Sequence, residues 1–337
     1  MVAWLAIDIG GANLKAADGH GYAASTSFAL YREPQRLAHE LRMMIAEAPR
    51  SDHLAVTMSG ELADCFESKT DGVKHIVQSV SEAADGRHAR IYTLDGKLVT
   101  PQVALRDPLN VAAANWHALS RYAVRFAPTD AAILLDVGST TCDVVPFVEG
   151  DLAARASTDT GRLLAGELVY TGADRTPLCS VAHHAPYRGQ QCPLAREFFA
   201  TARDIYLILG DLPEEPANTH TADGRGSTKA DARRRLGRMI CADDDQFNHR
   251  DAVAMAHAMS ESQVRSIVTS VEQVVSGLPA QPTRAILSGQ GEFIGRRVLE
   301  QMGWTGETVS LNAKLGPVVS RCAPAHALAV LAIEATR

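Results

Sequence analysis

Ala6-Ile7-Asp8-Ile9-Gly10-Gly11-Ala12-Asn13-Leu14-Lys15 is the stretch whose reading decides the fold. An apolar run ends in an aspartate, and two glycines, a small residue, an amide and a lysine follow. Trp4 to Ile9 reads as a short buried strand, Gly10-Gly11 as a tight turn, and Leu14 to Ala17 as a second strand running back antiparallel. Glycines in such a turn let main-chain N–H groups close on an anion, because no Cβ stands in the way. Asp8, at the end of its strand, faces whatever the turn holds. A carboxylate beside bound phosphates usually has Mg²⁺ between them.

The same grammar returns about 130 residues on, in Ile133-Leu134-Leu135-Asp136-Val137-Gly138-Ser139-Thr140-Thr141-Cys142-Asp143-Val144-Val145-Pro146-Phe147. An Asp-x-Gly turn alone closes many ordinary hairpins. Two of one kind, each opening an α/β half, point to paired phosphate loops: Gly10, Gly11 and Asn13 in the first, Gly138, Ser139, Thr140 and Thr141 in the second. Lys15 supplies fixed positive charge, and Asp8 and Asp136 are the candidate metal ligands and catalytic carboxylates. Asp143 either closes its hairpin or joins the site.

The pair resembles the first and second phosphate loops of the actin, sugar-kinase and Hsp70 superfamily. That resemblance implies an α/β protein of two RNase H-like, actin-like ATPase halves facing a central cleft. It also implies a late glycine motif for adenosine, and Ser288-Gly289-Gln290-Gly291-Glu292 falls in the right place. Gly289 and Gly291 are therefore further phosphate-side candidates. The motif departs from the usual Gly-Gly-(Gly/Ala) form, and Gln290 and Glu292 are expected to crowd an adenine.

Five segments together narrow the resemblance: 8–15, Asn110 to Trp116, 136–143, Gly166-Glu167-Leu168-Val169-Tyr170-Thr171-Gly172 and Thr221-Ala222-Asp223-Gly224. They resemble the hydantoinase/oxoprolinase-related branch, and within it the proteins linked to tetrahydromethanopterin C1 transfer. This resemblance covers essentially the whole chain. It implies a transferase that joins an aminomethylfuran diphosphate to the phenol of γ-glutamyl-tyramine and releases diphosphate, in assembly of a methanofuran-type or methylofuran cofactor. The kinase-like clamp would then hold a leaving group, with Mg²⁺ as the expected cofactor and ATP as an open one. A phenol of ordinary pKa, roughly 10, calls for a base or a strong hydrogen bond, and Glu167 and Asp223 are the candidates. Asn115 is expected to reach the cleft, and Arg225 to touch a phosphate or the glutamate carboxylate. The phosphate loops alone equally support an ATP-dependent small-molecule kinase or a non-catalytic nucleotide-binding protein.

The chain of 337 residues should hold two domains with ample core. We expect 1–112 with 313–337 in one and 113–312 in the other, with a largely helical insertion at about 173–278 acting as a substrate lid. Expected helices include Pro34 to Ala48, Asp71 to Ala84, Val111 to Phe126, Leu194 to Leu209, Lys229 to Cys241, Asp251 to Ser276 and Val318 to Thr336. The helices from Val111 and Val318 should cross between the halves, because their small side chains permit close approach.

A net charge of −6 lacks the basic stripe of a nucleic-acid binder. The six scattered cysteines suit reduced cytoplasmic thiols better than a disulfide framework. No signal peptide is visible, and no run approaches the roughly 20 apolar residues of a membrane span. The expected partners are small-molecule substrates, with a homodimer left open. Cys179, His183, His184 and Cys192 match no standard zinc spacing. Asp204 and Asp211, two helical turns apart, could form a second Mg²⁺ site or carry solvated charge, and Arg233, Arg234 and Arg235 read as a surface face.

Overall fold

The computed structural model describes residues 3–129 and 131–336. The chain begins with β1 (Trp4–Ile9), β2 (Asn13–Ala17) and β3 (Ala23–Ser27), then adds β4 (His53–Met58), β5 (His88–Tyr92) and β6 (Leu98–Val99). They form one sheet of order β3-β2-β1-β4-β5-β6. The first three strands are antiparallel neighbours, while β1, β4 and β5 run parallel. The parallel strands are reached through helices Leu37–Glu47 and Lys69–Ala83, as a parallel connection requires. Leu37, Leu41, Met44 and Ile45 of the first and Val73, Ile76, Val77 and Val80 of the second supply the buried faces, at the spacing of an amphipathic helix.

The second half repeats this plan. β7 (Ala132–Val137), β8 (Cys142–Val148), β9 (Asp151–Leu152) and β10 (Leu168–Val169) come first, and β13 (Arg284–Ser288) and β14 (Glu307–Ser310) return much later, after the insertion hairpin of β11 (His184–Tyr187) and β12 (Gln190–Pro193). The sheet order is β10-β8-β7-β13-β14, with β9 paired to β8. Both sheets therefore share an antiparallel hairpin, a third antiparallel strand beside it and two parallel strands on the other side. These are two RNase H-like halves.

Two helices lie between the sheets. Ala114 and Ala118, with Leu328, Ala329 and Ala332, pack on Trp4, Ala6 and Ala55 of the first sheet. Trp116, Leu119, Ala123, Ala323 and Ala327 pack on Leu134, Val145 and Ile286 of the second. The alanine-rich terminal helix, Ala323–Ala335, is buried nearly all round, which is what a helix without a polar face requires. The expected continuous helix from Val111 is interrupted. A 3₁₀ turn covers Pro108–Asn110, Ala113 takes φ +48°, and the α-helix runs over Asn115–Ala123. Asp107 precedes that turn and makes no side-chain cap.

The insertion is partly helical. Helix Ala202–Leu209 is shorter than the stretch expected from Leu194, because Thr201 and Asp204 form a capping box at its start. Helices Lys229–Arg238 and His249–Val275 follow. Residues Thr176 to Pro193 contain a short helix at Leu178–Val181 and the β11–β12 hairpin. His184 pairs with Pro193 there, and Cys192 with Ala185. Among the described residues no group of three or more His, Cys, Asp or Glu side chains is placed to hold a metal.

Candidate active site

The two hairpins are built alike to the residue. Gly10 N–H donates to the Asn13 carbonyl at 3.0 Å, and Gly138 N–H donates to the Thr141 carbonyl at 2.8 Å. Asp8 stands opposite Lys15 across the first hairpin, and Asp136 opposite Asp143 across the second. Both loops open on one cavity of about 440 Å³, which takes Gly10, Gly11, Asn13 and Lys15 from one side and Gly138, Ser139, Thr140 and Thr141 from the other. Asp8, Asp136, Asp143 and Asn115 line the same space. The N–H groups of Gly11, Ala12, Ser139 and Thr140 have no acceptor among the described residues. Unpaired main-chain donors converging on a cavity are an anion cradle.

Burial pushes the Asp8 carboxyl above the ordinary carboxylate range, with Lys15 pulling it back. Burial and the nearby Asp143 raise Asp136 to about 7. Asp143 is raised by burial as well, but its Oδ1 accepts from Arg162 Nη1 at 2.8 Å. Arg162, only 1% exposed, also donates to the Glu167 carbonyl and lies 4.0 Å from the Trp116 ring. Oδ1 of Asp8 and Oδ1 of Asp136 are buried and have no hydrogen-bond partner among the described residues. Orphaned carboxylate oxygens of this kind are costly unless something cationic meets them. Mg²⁺ commonly uses one or two carboxylates, with water and phosphate oxygens completing its shell. The donor set fits that ion.

Several expected residues stand elsewhere. Glu167 is 1% exposed, and its carboxylate accepts from the backbone N–H groups of Arg155 and Ala156; it braces a loop and does not line the cavity. Asp223 accepts from Arg235 Nη1 at 3.0 Å and from Arg225 N–H at 3.2 Å. Although burial acts to raise it, these donors hold it below the usual range, the wrong direction for a base. Arg225 is exposed and lines no cavity. Gly289 and Gly291 are packing positions: a Cβ on Gly289 would fall 2.3 Å from the Val137 carbonyl oxygen, and one on Gly291 2.5 Å from Val137 Cγ1. Glu292 turns away to Ser310 Oγ and Asn312 N–H, so only Gln290 of the expected crowding pair reaches a cavity.

The second-metal reading of Asp204 and Asp211 also fails. Asp204 is fully committed to Arg235 at 2.7 Å and to the Thr201 backbone, and Asp211 to Arg297 at 2.9 Å. Arg235, read as surface, is 0% exposed. Sequence reasoning missed Tyr31, Arg162 and Arg175. Arg175 and Tyr31 line the cavity from opposite halves and meet at 5.2 Å, guanidinium to ring. A signal for Arg175 was available in the Gly166–Gly172 motif just before it. A Cβ on Gly172 would fall 2.6 Å from the backbone of Ser139, and the N–H groups of Asp174 and Arg175 donate to the Ser139 carbonyl. That segment is therefore folded onto the second loop.

Fold and cleft together define the class: an α/β protein of two RNase H-like halves, with two like-built hairpins facing one cavity. Over 98% of both chains the structure superposes on a solved PilM–PilN type IV pilus biogenesis complex with a TM-score of 0.51 at 13% identity, which speaks to the fold alone. The hydantoinase/oxoprolinase family model matches residues 52–335, and the chain belongs to that family. It is 31% identical over 330 residues to a (4-{4-[2-(gamma-L-glutamylamino)ethyl]phenoxymethyl}furan-2-yl)methanamine synthase of Methanocaldococcus jannaschii, covering 97% of this chain and 96% of that one. A protein of the same name from Methanococcus vannielii is 28% identical over 201 residues, 59% of this chain and 89% of that one. Among the described residues no helix is long and apolar enough to cross a membrane.

Proposed function

We propose that the chain is the corresponding ether synthase: it joins an aminomethylfuran-methyl diphosphate to the phenol of γ-glutamyl-tyramine and releases diphosphate. The observation that carries this reading is the end-to-end similarity to the Methanocaldococcus jannaschii synthase. The chemistry suits the cleft. The furfuryl C–O bond breaks with its electron pair leaving on diphosphate, and the furan oxygen delocalises the positive charge left on carbon. The phenol oxygen then forms the new C–O bond and gives its proton to solvent.

Rate in such a step depends on neutralising the departing oxygens. The loop N–H groups at Gly11, Ala12, Ser139 and Thr140, with Lys15 and Arg175, are the chain's own contribution. Asp8 and Asp136 would hold a Mg²⁺, which supplies further charge neutralisation at the phosphates. Because ionisation at carbon leads, the phenol need not be fully deprotonated first, so the commitment of Glu167 and Asp223 elsewhere is no obstacle. Work in a cytoplasmic, tetrahydromethanopterin-linked C1 pathway belongs to the same proposal.

The test is the purified chain with Mg²⁺, the furan diphosphate and γ-glutamyl-tyramine, following diphosphate release and the mass of the ether. Calorimetry with diphosphate–Mg²⁺ and, separately, ATP–Mg²⁺ separates this reading from the kinase one. Phosphorylation of a small molecule by ATP, without ether formation, would overturn it.

A further inference from the structure

A second cavity, of about 590 Å³, adjoins the first. The two share Ala12, Asn13, Lys15, Tyr31, Ser139 and Arg175, so a long substrate can thread past the loops from one into the other. Their charges differ. The first is lined by five aspartates (Asp8, Asp64, Asp136, Asp143 and Asp159) against Lys15, Arg162 and Arg175. The second is lined by Lys15, Arg32, Arg175, Arg203 and Arg321 against only Asp174 and Glu215.

Within the second cavity the cations are not equivalent. Arg203 is buried and already meets Asp174 at 3.4 Å and Glu215 at 2.5 Å. Arg32, Arg175 and Arg321 are exposed to the cavity and form no ion pair among the described residues. Arg32 and Arg175 both lie by the Tyr31 ring, at 5.5 and 5.2 Å, which places them toward the mouth shared with the loops. Arg321 lines the same cavity as Glu215, and its charge, with that of Arg203, helps keep that carboxylate ionised. The cavity thus offers both a free guanidinium and a fixed carboxylate, the complement of an α-amino acid end group, which carries a carboxylate and an ammonium.

Resting on the ether-synthase reading above, we infer that the second cavity binds the α-amino-acid end of the acceptor, with Arg321 on the carboxylate and Glu215 on the ammonium. The phenol then points past Tyr31 and Ser139 toward the loops. The aspartate-rich first cavity takes the donor, whose aminomethyl group is cationic. Gln290, from the adenosine-like motif, borders the acceptor end and leaves that space to an amino acid instead of a base.

The experiment compares two acceptors in the full chain: γ-glutamyl-tyramine and 4-aminobutyryl-tyramine, which lacks only the α-carboxylate. In the unmodified protein the truncated acceptor should show a KM raised about 10- to 100-fold, the range for one charge-assisted contact. Arg321→Gln should raise the KM of γ-glutamyl-tyramine by a similar factor and leave the KM of the furan diphosphate and that of the truncated acceptor unchanged. Arg32→Gln, on the same cavity but nearer the loops, provides the second variant.

An Arg321→Gln protein with an unchanged acceptor KM, or with both acceptors weakened equally, overturns the inference while leaving the ether-synthase reading intact. So does saturable ATP–Mg²⁺ binding that Arg321→Gln abolishes without touching the acceptor, since the cavity would then belong to a nucleotide. Absence of any ether from the unmodified chain removes the function itself, and the inference with it.

Discussion

The first and second hairpins share turn geometry and register, yet they differ in charge at one position. Opposite its strand-end aspartate the first carries Lys15, whereas the second carries Asp143. The first hairpin is therefore neutral by itself and the second is a like-charge pair. That pair is tolerable only because Arg162 reaches it from outside the hairpin and because Asp136 rises to about 7 through burial and its neighbour. The lesson is that a duplicated scaffold need not keep duplicated chemistry. The first hairpin presents a lysine beside its carboxylate, and the second presents two carboxylates.

Breaking the second pair should cost the most. Asp143→Ala strands the Arg162 guanidinium in a site where it is 1% exposed, and loss of a buried ion-pair partner typically costs about 3–5 kcal/mol. Denaturant unfolding should register that loss. Lys15→Gln, changed at the equivalent position of the first hairpin, should leave unfolding nearly unmoved. Equal destabilisation by both substitutions would mean that the hairpins are electrostatically equivalent after all.

Next is Asp8→Asn, which should lower kcat by about 10²–10³-fold, the scale for losing one preorganised charge-stabilising group, with circular dichroism unchanged. Near-normal turnover in this variant would rule out a metal role for Asp8.

The third test asks whether the contrast belongs to the hairpins or to two independent lobes. His117, on the crossing helix, accepts from or donates to Tyr92 Oη at 3.0 Å. Burial, reinforced by Arg121, lowers its pKa from 6.5 to about 4. The unfolded imidazole takes a proton that the folded one refuses. Stability is therefore whole above pH 6.5 and is lost as the pH falls from 6.5 to about 4, by about 3 kcal/mol. If the lobes share the seam, near-UV and far-UV signals should fall together across that window, and His117→Gln should flatten the dependence. Two separated transitions would show that the lobes unfold independently.

The smallest effect concerns the glycines. Gly172→Ala puts a methyl 2.6 Å from the Ser139 backbone and should cost about 1–3 kcal/mol of stability, as overpacking does, together with diphosphate affinity. Nothing lies within 4 Å of a Cβ on Gly11, so Gly11→Ala should keep stability and lose only affinity. Calorimetry with diphosphate beside a thermal melt separates the two.

Fold class and the core of the site were legible because they are local. Asp8, Gly10, Gly11, Asn13 and Lys15 lie within one hairpin, and strand periodicity with turn chemistry is enough to bring them together. The expected alanine-rich seam was readable for a similar reason, since small side chains at helical spacing have few other uses. What failed was the assignment of isolated carboxylates. Glu167, Asp204 and Asp223 look alike in a sequence, but their roles depend on which distant donors reach them: Arg155 and Ala156 N–H for the first, Arg235 for the other two. Arg235 was misread with them, because three consecutive arginines give no sign of which one points inward.

The sequence by itself determined the two hairpins and the family, because each rests on residues a few positions apart whose backbone conformations are restricted by glycine and by burial. Only the tertiary structure decided which carboxylates are free. A buried charge must find a partner, and the partners here lie 11 to 31 residues away along the chain. Folding also set the opposite charge of two adjoining cavities, which no single segment of the chain carries.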